Sequence, residues 1–314
     1  MKARHVLTIF LLIVSVLSIE LLILLYLFPS GGAGKRHPPE KTKGTSSKVQ
    51  DILPDTASDR QELEAAILHI LGEDAAQFSI YLLRPQKERL PFLYQAQRPM
   101  RPASMIKVFI LAKAMEDVRD GKRSLDETIV LRWKDMVDGA GVLDGEPEGT
   151  KLPLSKLMEL MITESDNTAT NILIDLLGMD NINAYLQANG YRSTVLQHKM
   201  MIPNEEKMNF SSAEDLGKLF ERIYRHNCVD ERHDDLMIRY LLDQKDRECF
   251  PAALPRWDIA HKTGEIDQLY DDGGIFYGNG KEFILVILND DYSGRYETIE
   301  RMKRIASVVA HGFL

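Results

Sequence analysis

The longest unbroken apolar run lies near the start of the chain. Val6 to Phe28 reads VLTIFLLIVSVLSIELLILLYLF, 23 residues with Glu20 as the one charge. At about 1.5 Å per residue, such a helix crosses a hydrocarbon core of roughly 30 Å. A secretory signal has a shorter apolar stretch, about 7–15 residues. An uncleaved anchor is therefore expected over residues 1–28, although Ala33 and Gly34 weakly resemble a cleavage site. Lys2, Arg4 and His5 precede the run, which places the N-terminus in the cytoplasm and the rest of the chain outside. Residues 29–57 then lose all periodicity. Gly31, Gly32, Gly34, Pro38 and Pro39 alternate with Lys35, Arg36, Lys41, Lys43 and Lys48, the pattern of a solvated basic linker.

From residue 58 to 314 the pattern is that of a folded domain. Apolar spacing predicts a helix over Gln61–Leu71. Strands follow over Phe78–Arg84, where Phe78, Ile80 and Leu82 alternate, and over Leu90–Gln95. The middle is helical, with segments Lys107–Asp117, Leu154–Ile162, Ala169–Leu177 and Ala213–Tyr224. Strands return over Trp257–Lys262, Gly274–Tyr277 and Phe283–Asn289, and Asn279-Gly280 signals a hairpin between the last two. A final helix sets Ile299, Met302, Ile305 and Val309 on one face. Strands at both ends of a helical middle predict an α/β (α+β) fold. An antiparallel sheet is assembled from both ends, terminal helices pack on it, and an all-helical lobe is inserted, with the active site between lobe and sheet.

Composition adds exclusions. Hydrophobic residues at 44% and charged residues at 27% are ordinary globular values, so collagen-like and wholly disordered chains are out. The net charge of −8 argues against a nucleic-acid partner. Cys228 and Cys249 are too few for a disulfide scaffold or a four-cysteine zinc site. A disulfide between them is permitted outside the cell, and spacing alone leaves open whether they meet. His233-Asp234-Asp235 reads as a solvated loop or helix end rather than a metal site. No metal or organic cofactor is expected.

Three short motifs stand in order: Ser104-Met105-Ile106-Lys107, Ser165-Asp166-Asn167 and Lys262-Thr263-Gly264. An SxxK match alone has little weight, but exact SDN and KTG matches each arise in roughly one chain in twenty at average residue usage. Ser104 and Lys107 are i and i+3, so both project from one helix face. Pro102 places Ser104 in the first turn, where free N–H groups and the helix dipole are positive. That setting, with nearby cations and partial burial, lowers the pKa of Lys107, and a neutral Lys107 can deprotonate Ser104. His261 alternates to the sheet face opposite Lys262 and is not cast as a base.

The trio resembles that of class A β-lactamases and penicillin-binding proteins. Arg101-Pro102-Ala103-Ser104, the run from Gly141 to Gly178 around SDN, and His261 to Gly264 before an Asn-Gly hairpin extend the likeness over residues 58–314. The resemblance implies a serine hydrolase that works through an acyl-enzyme. Ser104 is its nucleophile and Lys107 its base. Ser165 passes a proton to the leaving nitrogen, and Lys262 supplies positive charge. Asn167, Thr263 and Gly264 bind substrate, and the backbone N–H of Glu265 pairs with that of Ser104 as an oxyanion hole. Asn171 is expected to brace a neighbouring loop.

One departure stands out. The family's deacylating Glu lies in a loop after SDN, and the matching stretch here is Leu196 to Asn204. Met200 or Met201 occupies its place, with Glu205 and Glu206 a few residues later. Slow release of a β-lactam is expected, as for a D-alanyl-D-alanine peptidase acting on the stem peptide of peptidoglycan. The alternative is a penicillin-binding sensor without useful turnover. The expected location is the cell membrane, with the catalytic domain on its outer side.

Overall fold

The computed structural model describes residues 57–85, 90–202, 207–278 and 280–312. The expected anchor, most of the linker, Glu205, Glu206 and Asn279 lie outside the described residues. Among the described residues no helix is long and apolar enough to cross a membrane.

Helix α1 (Ala57–Leu71) leads into strands β1 (Phe78–Leu83) and β2 (Phe92–Tyr94). A short 3-10 turn, Ala103–Ile106, opens directly into α2 (Lys107–Arg119). The helical lobe contains α3 (Leu154–Thr163), α4 (Asn167–Leu177), α5 (Met179–Ala188), α6 (Ala213–Tyr224) and α7 (Glu231–Leu242). It also carries a small antiparallel hairpin, β3 (Thr128–Val130) with β4 (Lys151–Pro153). After the short α8 (Phe250–Ala253) come β5 (Asp258–Ile266), β6 (Leu269–Gly278), β7 (Lys281–Asn289) and the closing helix α9 (Arg295–His311).

The five-stranded sheet runs β2-β1-β7-β6-β5, antiparallel throughout. The last strand of the chain therefore sits at its centre, and the strand carrying Lys262 forms an edge. Both ends of the chain build the sheet, as the pattern of apolar residues predicted. Alternation along β7 explains the two layers. Phe283, Leu285 and Ile287 join the terminal-helix core with Ile299, Met302 and Ile305 of α9. Ile284, Val286 and Leu288 join the core shared with the helical lobe. Burying each such side chain contributes about 1.5–3 kcal/mol. A strand covered on both faces reads as a continuous apolar run, which is why FILVIL was easy to place.

Several boundaries differ from the sequence reading. β5 and β6 continue past Lys262 and start before Gly274, because polar residues there are buried by pairing: Lys262, Thr263, Asp271 and Asp272 are all inside. Helices α5 and α7 were not anticipated; uncharged polar residues such as Asn181, Asn183 and Gln187 in α5, and charged residues in α7, dilute the apolar period. Cys228 and Cys249 are separate buried thiols. His233 bonds Asp230 at 2.8 Å, and Asp234 accepts the Cys228 N–H at 3.0 Å.

Candidate active site

Ser104 lies in the 3-10 turn rather than in the first turn of α2, and that turn runs unbroken into Lys107. The residue before it, Ala103, has φ +40°. A side chain in that left-handed region costs about 1 kcal/mol or more. Ser104 faces a cleft of about 460 Å³ between the helical lobe and the edge strand β5. Arg101, Pro102 and Ala103 line it beside Ser104, as do Gly139, Ala140 and Asn167 of the lobe. His198, Met200, Met201, Met208 and Asn209 form the loop side, and Glu265, Ile266 and Asp267 form the strand side.

Behind Ser104, Lys107 is fully buried. Its amine donates to the Ser165 carbonyl at 2.6 Å and to Asn167 Oδ1 at 2.8 Å, and lies 3.3 Å from Ser165 Oγ. From the other side, Lys262 donates to Ser165 Oγ at 3.0 Å and to the Thr263 carbonyl at 2.8 Å. One hydroxyl thus bridges two buried lysines. Burial first, then repulsion by Lys262, pushes Lys107 well below the ordinary lysine value, against the pull of Asp166. Burial also lowers Lys262, to about 8, against the attraction of Asp246 and Asp272. The desolvation that the sequence reading gave a minor part is the leading cause. A neutral Lys107 has two N–H donors. Both are taken by the 2.6 and 2.8 Å bonds, so its lone pair is free to accept a proton.

The SDN segment is held tightly. Ser165 adopts φ +54°. Asp166 caps α4 by accepting the Ala169 N–H at 2.7 Å, and its other oxygen takes the N–H groups of Val142 and Leu143 at 2.7 and 2.9 Å. Gly141 crosses directly over that carboxylate; a Cβ there would fall 2.3 Å from Asp166 Oδ2. Asn167 donates weakly to the Asp138 carbonyl, 3.3 Å away, and presents its side chain to the cleft.

The KTG segment divides by strand alternation. Lys262 faces the lobe. His261 and Thr263 face the opposite side, towards the terminal helices, and the His261 ring bonds the buried Asp272 at 2.8 Å. The expectation for Gly264 needs correction in one respect. The group it admits is the turn that carries Ser104, since a Cβ there would lie 2.8 Å from the Pro102 carbonyl. Thr263 is buried and is not among the cleft-lining residues, which Glu265 joins instead. The Glu265 carboxylate is tied to Arg295.

Asn171 braces the loop as expected. Its amide donates to the Met200 carbonyl at 3.0 Å and accepts the Met200 N–H at 2.8 Å. Asn209 pins the same loop by accepting from Gln197 and His198 at 2.7 and 3.1 Å. Met200 and Met201, the two positions that counting from Ser165 offers for the family's Glu, both line the cleft. The apolar contribution of Met208 and Ile266 was not anticipated; each is isolated in the sequence, and only the fold brings them to one cleft.

The family model of the beta-lactamase enzyme family matches residues 61–313. The chain belongs to that family. A beta-lactamase of Streptomyces fradiae is 26% identical over 204 residues, covering 60% of this chain and 65% of the relative. Beta-lactamase BRO-1 of Moraxella catarrhalis is 25% identical over 171 residues, covering 51% and 54%. The chain thus spans less than two thirds of the length of these curated relatives. Among solved structures, a beta-lactamase from Sphaerobacter thermophilus superposes with a TM-score of 0.73 at 25% identity, over 80% of this chain and 97% of that one. PBP-A gives a TM-score of 0.73 at 24% identity, over 80% and 95%. The β-lactamase-like fold expected from the three motifs is the fold observed.

Proposed function

We propose that the chain forms an acyl-enzyme on Ser104 with β-lactam amides or D-alanyl-D-alanine wall peptides and releases the acyl group slowly. The observation that carries this reading is the Lys107–Ser165–Lys262 network beside Ser104. Neutral Lys107 takes the Ser104 proton as Oγ attacks the substrate carbonyl. The backbone N–H groups of Ser104 and Glu265 receive the oxyanion. Ser165 then hands a proton to the leaving nitrogen, the C–N bond breaks, and an ester on Ser104 remains. Lys262 keeps the site positive for a substrate carboxylate, with Asn167 as a further binding group. Support for a β-lactam as acyl donor comes from the family and from a variant of PBP-A solved as an acyl-enzyme complex with penicillin G.

Release of the ester needs a base for water. Met200 has no such capacity, and among the described residues the cleft-lining carboxylates, Glu265 and Asp267, belong to the strand side. This is the basis for slow turnover. The apolar run Val6–Phe28 is proposed as a membrane anchor that holds the catalytic domain outside the cell, near the wall.

Fluorescent penicillin on the full-length chain tests the reading. Label is expected on wild type, mapped to Ser104 by peptide mass, and lost in Ser104→Ala. Label surviving in that variant would remove Ser104 as nucleophile. Alkaline carbonate extraction of cell membranes tests the anchor: retention in the pellet is expected, and release would contradict it.

A further inference from the structure

Three residues before Ser104, Arg101 reaches across the fold to Asp290. Its Nε lies 3.0 and 3.2 Å from the two carboxylate oxygens, and its Nη2 donates to the first of them as well. The partners are 189 residues apart in sequence and both half-buried. Such a two-nitrogen grip on a carboxylate fixes direction as well as distance.

Asp290 stands on rigid ground. It follows directly on β7, the central strand, and its N–H donates to the Gln77 carbonyl at 3.2 Å, just before β1. The preceding Asn289 gives its N–H to the buried Asp271 of β6 at 2.8 Å. Asp290 is thus tied to the three inner strands at one end of the sheet. On its other side the nucleophile turn rests on the edge strand, through the close approach of Gly264 to the Pro102 carbonyl. The Met105 N–H closes the turn onto that same carbonyl at 2.8 Å. Between these fixed points sits Ala103 at φ +40°, a conformation an alanine does not keep unaided.

We infer that Arg101 and Asp290 are positioning residues: their ion pair holds Ala103 in its left-handed conformation and so aims Ser104 at the substrate carbonyl. The inference rests on the proposal that Ser104 is acylated. Neither residue touches the reacting atoms. Loss of the pair lets the turn relax, which lowers the acylation rate more than it weakens substrate binding.

The test measures acylation of the full-length chain by fluorescent penicillin over a range of concentrations, so that the maximal rate and half-saturation separate. Asp290→Asn is expected to lower the maximal rate about tenfold with half-saturation little changed. Adding Ala103→Gly is expected to recover most of that loss, since glycine holds a positive φ without help. Exchanging the charges, Arg101→Asp with Asp290→Arg, is expected to recover part of it. Thermal midpoints on the same samples identify a variant that has lost its fold. Should Asp290→Asn do so, Arg101→Lys carries the same expectation, because it keeps the charge and loses the two-nitrogen grip. An unslowed Asp290→Asn, or a loss that glycine leaves unchanged, overturns the positioning role. No label on wild type instead overturns the Ser104 reading beneath it.

Discussion

The two walls of the cleft are built from different chemistry. On the nucleophile side, Lys107, Ser165, Asn167 and Lys262 share one hydrogen-bond network, with bonds of 2.6 to 3.3 Å. On the loop side, Met200, Met201 and Met208 line the cleft with His198 and Asn209, and Met201 and Met208 are the exposed methionines. Yet both walls are held by buried hydrogen bonds. Asp166 holds the first through three N–H groups, and Asn171 and Asn209 hold the second. The loop is therefore not a failed copy of the polar wall. Among the described residues its cleft-facing side chains are methionines with His198 and Asn209, and no carboxylate. The comparison teaches that making the ester and breaking it are separable problems, and on the proposed reading the polar wall serves the first.

The largest effects are expected on the polar wall. Ser104→Ala should abolish covalent labelling by penicillin, and Lys107→Met should slow it by about 10²–10⁴-fold, the contribution of a positioned base. A Lys107→Met variant that labels at the wild-type rate would dissolve the contrast between the walls. Converting the other wall should act in the opposite direction. Met200→Glu puts a carboxylate on the braced loop and is expected to speed loss of the acyl group at least tenfold, part of the same general-base range. Loss at an unchanged rate would show that the missing base is not what distinguishes the loop.

The pH dependence sharpens the assignment of the two lysines. Acylation needs Lys107 neutral, so it should rise as pH passes the depressed value of that amine. It needs Lys262 charged, so it should fall as pH passes about 8. A bell-shaped profile results, and Lys262→Arg, which keeps its charge, should move the falling limb to higher pH. A falling limb that stays in place assigns it to another group. The smallest effect concerns the anchoring of the loop. Asn171→Ala strips partners from the buried Met200 N–H and carbonyl and should cost about 1–3 kcal/mol in urea unfolding. Acylation rate should change little.

Much of this was legible in the chain. Phe283–Asn289 and the closing helix announce themselves by period, and Ser104, Ser165 and Lys262 by motif, because those signals are local. What stayed hidden depends on distant residues. The edge strand continues past Lys262 because Asp271 and Asp272 pair with Gly264 and Thr263, a register no window of sequence contains. Helix Glu231–Leu242 hid behind five charged residues and one histidine in twelve. The depth of Lys107, which sets its proton affinity, follows from lobe packing rather than from its place beside a helix start. Arg101 was visible next to Ser104, but nothing near it in sequence names Asp290 as its partner.

Ser104 is proposed to be acylated readily and freed slowly. The most direct test is the intact mass of the full-length chain against time, after brief exposure to benzylpenicillin and removal of the excess. An adduct on Ser104 is expected to persist for hours in wild type and to disappear faster in Met200→Glu. An adduct that is lost from wild type within seconds, with hydrolysed penicillin released, would contradict slow release.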